Sequence, residues 1–139
     1  MDYKEDFSLK MDHIYGTGFI ALCVKTTIVR EMLNNILFKK FPTVNYWRSG
    51  LGQAWVDTQK TSLNINTNLG KSNRVWHVAT LAHELYHLNQ TPKEKLTLEE
   101  EIEEEKGAYS VTFQVLNQLP PSKGSGREAK FERAHRRNY

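Results

Sequence analysis

The residues best placed to do chemistry are His83-Glu84-Leu85-Tyr86-His87. Two histidines four positions apart lie on one face of a helix, so both imidazoles can reach a single cation. The glutamate beside the first is positioned to take a proton from a water polarised there, which makes the segment a hydrolytic metal motif of the HExxH type. A catalytic zinc ion has three protein ligands and one open position, so a third ligand must come from elsewhere in the chain. The next histidine, His135, lies in the C-terminal tail, whereas Glu99, Glu100, Glu101, Glu103, Glu104 and Glu105 crowd the start of a later helix.

Helical angles separate these glutamates, at about 100° per residue. Leu98, Tyr109, Leu116, Thr112 and Leu119 fall within about 40° of Glu105, which therefore sits at the centre of an apolar stripe and is expected to face the interior. A carboxylate there is costly unless neutralised or bound to a cation. Glu105 is thus the first candidate ligand and Glu101, about 40° off centre, the second, with the other four pointing further away. Tyr109, one turn beyond Glu105, is either a core residue or a phenol facing a developing oxyanion. His77, about 120° round the helix from His83, should not share the ion.

These residues need elements to hold them. Apolar residues at Ile28, Val29, Met32, Leu33, Ile36 and Leu37 predict a helix over about Leu22 to Phe41, stopped by Pro42. Residues 1–16 show no clear period and are expected to be irregular. Val44 to Trp47 and Gln53 to Asp57 read as short strands about a Gly50–Gly52 turn, and Leu63 to Leu69 alternates as a strand with one buried face. Gly70 and Ser72-Asn73 supply a turn and an N-cap for a helix over about Arg74 to Asn89. Thr91-Pro92 breaks it, and a last helix is expected over Leu98 to Leu119 before Pro120-Pro121. The fold class is α+β.

At 139 residues, with 39% hydrophobic and 25% charged residues, the chain suits one globular domain. The expected division is an N-terminal segment over 1–19, a catalytic body over 20–119 and a basic tail over 120–139. The apolar stretch Gly18–Val24 is far short of the roughly 20 residues of a membrane span, and the N-terminus carries acidic residues instead of a basic leader, so a cytoplasmic protein without a membrane partner is expected. Cys23 has no disulfide partner and reads as a small buried residue.

An HExxH helix followed by a glutamate helix resembles the gluzincin metallopeptidases, and size and element order look most like the minigluzincins. Glu105-Lys106-Gly107-Ala108 also resembles an E-x-x-A pattern of the ImmA/IrrE family of intracellular regulatory metallopeptidases. The resemblance covers roughly residues 20–119. It implies a minimal zincin domain with a backing helix, a small mostly antiparallel sheet, an active-site helix and a glutamate helix. It further implies Zn2+ held by His83, His87 and Glu105, Glu84 as general base, and a peptide or protein substrate lying along the Leu63–Leu69 strand. The histidine or tyrosine that larger gluzincins use for the oxyanion has no evident counterpart.

Three functions stay open: a zinc endopeptidase, a regulatory protease cleaving a repressor-like partner, and a noncatalytic zinc-stabilised module. From Lys123 onward six basic residues face two acidic ones. That tail is a solvated end, a self-inhibitory segment with His135 reaching the metal, or a contact for nucleic acid.

Overall fold

The computed structural model describes residues 3–39, 42–47, 53–66, 74–92 and 95–119. The elements run α1 (Tyr3–Tyr15), α2 (Phe19–Cys23), α3 (Thr27–Lys39), β1 (Thr43–Trp47), β2 (Gln53–Val56), β3 (Ser62–Asn66), α4 (Arg74–Leu88) and α5 (Leu98–Gln118). This is an α+β arrangement: helices around a three-stranded mixed sheet.

The first sixteen residues are mostly helix, contrary to the expected irregular segment. Phe7, Met11 and Ile14, spaced i, i+4, i+7, are buried together with Tyr15 and join the same core as the rest of the protein. Their period is masked by the polar residues between them. Gly16, at φ 107°, ends the helix in the left-handed region, and its N–H donates to the Asp12 carbonyl at 2.8 Å. The Asp12 carboxylate in turn accepts from the Gly18 and Ile20 amides at 3.2 and 3.0 Å, which starts α2.

The single helix expected from Leu22 onward is broken between Cys23 and Thr27. Thr26 is buried, and its hydroxyl donates to the Cys23 carbonyl at 2.9 Å, a local bond that competes with the helical ladder. The expected turn at Gly50–Gly52, the N-cap at Ser72-Asn73, the end of the strand at 67–69 and the proline stop at 120–121 lie outside the described residues, as does the tail with His135.

In the sheet the order is β1-β3-β2, with β1 parallel and β2 antiparallel to β3. Among the described residues parallel and antiparallel pairs are therefore equal in number, in place of the mostly antiparallel sheet expected. The reason is burial: Leu63 and Ile65 of β3 are essentially inaccessible, so this strand takes the centre and separates the two that precede it. Val44, Tyr46, Ala54 and Val56 flank them on the inner face. β3 is paired on both sides over its described residues, so the expectation that it offers an open edge to substrate is overturned there; β1 and β2 are the two edge strands.

Helix α4 lies against this inner layer, with Val78, Ala79, Leu81, Ala82 and Leu85 buried, and packs on α3, β2 and most extensively α5. α5 opens with a capping box: the Thr97 hydroxyl accepts from the Glu100 amide at 3.1 Å, and the Glu100 carboxylate accepts from the Thr97 amide at 3.2 Å. Among the described residues no helix is long and apolar enough to cross a membrane.

Candidate metal centre

One face of α4 is buried and its edge opens on a cleft of about 650 Å³, walled by β2, the β2–β3 turn and the start of α5. His83, Glu84 and His87 all line it. The Nε2 atoms of His83 and His87 are 3.4 Å apart. From α5, Glu105 Oε1 lies 2.9 Å from His87 Nε2 and Glu105 Oε2 lies 3.4 Å from His83 Nε2. One ligand atom from each residue falls within 4.8 Å of the others.

These spacings suit a tetrahedral ion. With bonds of about 2.0–2.1 Å, neighbouring ligand atoms around zinc stand about 3.3 Å apart. Two imidazole nitrogens and a carboxylate oxygen are also a donor set that zinc accepts readily.

No family model, curated protein or solved structure matches the chain. The site must be read from its own geometry.

Glu105 is not in the interior as expected: its side chain is 51% exposed, at the rim of the cleft. The stripe that singles it out runs through Leu98, Tyr109, Thr112, Leu116 and Leu119; the last three are buried, but Leu98 and Tyr109 are exposed, as is Ile102 on the same side. The core-facing line of α5 is Ala108, Val111, Thr112, Val115 and Leu116, which shares Thr112 and Leu116 with the stripe but is centred to one side of Glu105 and begins only at Ala108. Glu101 lines the same cleft but is not part of the three-residue cluster.

That corrected line exposes what the sequence reading missed. Glu104, four residues before Ala108 and seven before Val111, continues the buried line toward the cleft. Its Oε2 lies 2.5 Å from His87 Nδ1 and 2.7 Å from Lys60 Nζ. A carboxylate on Nδ1 fixes the ring so that Nε2 faces the cluster, the outer-shell arrangement common to histidine ligands. Partial burial pushes the Glu104 carboxyl up, but the bonds from Lys60 and His87 outweigh it and hold it below the ordinary carboxylate value.

Glu84 is buried, which, with the negative charge of Glu105 nearby, pushes its pKa up to about 8 against the opposing pull of Lys60. Burial likewise lowers the pKa of His83, aided by His87 and opposed by Glu105, so the neutral imidazole that a metal requires is favoured. A cation among these groups relieves the crowding of Glu84 and Glu105.

Tyr109 is exposed, so the core reading fails; its ring stands edge-on to His83 with centroids 4.8 Å apart. His77 is buried against Tyr15 at 5.1 Å between centroids and stands outside the cluster. Cys23 is buried and its thiol pKa is pushed up, chiefly by desolvation, as befits a packing residue.

Proposed function

We propose that the chain is a zinc-dependent endopeptidase in which His83, His87 and Glu105 hold the ion and Glu84 is the general base. The observation that carries this reading is the convergence of one ligand atom from each of the three residues within 4.8 Å of the others, with the two imidazole Nε2 atoms 3.4 Å apart, close to the spacing around a tetrahedral ion. Zinc, when bound, supplies a Lewis acid and lowers the pKa of water toward about 7. The protein's own share is to accept the water proton on the Glu84 carboxylate and pass it to the leaving amine. Presence of a general base beside the cluster favours catalysis over a structural site, which has no use for one.

The cleft also suits an extended chain. Ala54, Trp55 and Val56 of the edge strand β2 line it, so a peptide can add to that edge and run past Glu84. The resemblance to the gluzincins supports the same reading through the matching motif at His83, Glu84 and His87.

Metal analysis and cleavage of a peptide library test it together. Wild type should carry one zinc and cleave; Glu84→Gln should keep the zinc and lose roughly 10²–10⁴-fold in rate. Glu105→Ala should lose the zinc, and Glu101→Ala should not. Stoichiometric zinc with no cleavage, unchanged by Glu84→Gln, would instead identify a zinc-stabilised binding module, and a cut protein co-purifying with wild type but not with Glu84→Gln would identify a regulatory protease.

A further inference from the structure

Lys60 occupies a place that suits few lysines. It stands in the β2–β3 turn at φ 59°, in the left-handed region, and its side chain is only 9% exposed. A long cation gains little from such a position unless something holds it there. Two structures do so. The Asp57 carboxylate ties the turn by accepting from the Thr61 and Ser62 amides at 2.8 and 2.7 Å and from their hydroxyls at 2.8 and 3.0 Å. Desolvation opposes these bonds, yet together they prevail and keep the Asp57 carboxyl down at about 2. The ammonium then meets Glu104 Oε2 at 2.7 Å, and that same oxygen is the partner of His87 Nδ1.

The arrangement is a relay of position from sheet to metal helix: Asp57 shapes the turn, the turn aims Lys60, Lys60 holds Glu104, and Glu104 orients His87. Although Lys60 lines the cleft, its charge is committed to Glu104, which leaves it poorly placed to recognise a substrate carboxylate. We propose that Lys60 is a positioning residue for His87, acting through Glu104, and that it sets zinc affinity without touching the ion. This rests on the reading of His83, His87 and Glu105 as zinc ligands.

Zinc affinity of the full chain, measured by competition with a chromophoric chelator, tests the relay, beside thermal unfolding of the metal-free protein. Glu104→Gln should weaken zinc roughly 10–100-fold, and Lys60→Met roughly tenfold. Lys60→Arg should recover most of the loss, because it restores the charge on Glu104. The double variant Lys60→Met/Glu104→Gln should bind no more weakly than Glu104→Gln alone, since the route through Glu104 is then already cut. Additive losses, or a Lys60→Met protein that binds zinc like wild type, overturn the proposal. Should Lys60→Met not fold, Lys60→Gln repeats the comparison with a donor but no charge. The ligand reading is judged separately: a wild type that binds zinc no better than His83→Ala overturns that reading, and the relay with it.

Discussion

Helices α4 and α5 share the long seam from which the candidate site is built, but they are held in different ways. α4 is enclosed by α2, α3, β2 and α5, and Val78, Ala79, Ala82 and Leu85 have no accessible surface. α5 is enclosed only along its second half, where Val115 and Leu116 enter the core; its first half leaves Leu98 72% exposed. Two candidate ligands therefore sit on a helix fixed by the core, and the third sits on one fixed mainly by the seam itself. The arrangement allows Glu105 to stand at an open rim while His83 and His87 keep their spacing. It also concentrates the control of Glu105 in a few contacts near it.

The contrast is broken most severely from the α4 side. Leu85→Ala should cost about 2–5 kcal/mol of stability, because a fully enclosed site cannot collapse around the missing atoms. Urea unfolding of the metal-free protein measures this, and a loss below about 1 kcal/mol would place α4 outside the core. The next largest effect is expected at the seam. At Gly107 an added Cβ would overlap the phenol of Tyr86, so that ring lies against the backbone of α5 only because position 107 carries no side chain. Gly107→Ala gains about 1 kcal/mol in helix propensity, but overpacking here should cost more, in the range of about 1–3 kcal/mol. Zinc affinity should fall with it, since Glu105 and Glu104 ride on the same turn. A stabilised Gly107→Ala protein would mean that the seam is looser than the structure has it.

The same contrast explains what was legible in the residues alone. α4 carries a motif and apolar residues that agree, so its span and the common face of His83 and His87 follow from spacing. The span of α5 is equally clear, but its exposed Leu98, Ile102 and Tyr109 shift the centre of the apolar stripe away from the residues that enter the core, and helical angle cannot separate the exposed Leu98 from the buried Leu116, about five turns on at the same angle. Glu105 stands beside the histidines, yet as a rim residue and not as the buried carboxylate the stripe suggested. Glu104 was passed over for the same reason. Lys60 was out of reach altogether, because its position depends on a partner 44 residues away. Strand order was hidden likewise: alternation identifies a strand's faces, and its neighbours are chosen by tertiary burial.

A smaller effect is expected where α5 begins. Thr97→Ala removes the hydroxyl that accepts from the Glu100 amide and should cost about 1 kcal/mol, read in thermal unfolding. Because this end of α5 is outside the core, the loss should be accompanied by faster amide exchange over the first turns of α5 and not over α4. Uniform acceleration across both helices would show that they open as one unit and would remove the distinction between them.

The smallest expected effect is the sharpest discriminator between the exposed and the buried residues of α5. Ile102 is 45% exposed, off the line that enters the core. Replacing it by serine should change stability by no more than about 0.5 kcal/mol, as for an ordinary surface position. Val115→Ala, on the buried line thirteen residues on, should be clearly worse, because it leaves a void in a packed interior. If Ile102→Ser proved as damaging as Val115→Ala, the first half of α5 would be covered in solution, and Glu105 would then be the enclosed carboxylate that its helical angle alone suggests.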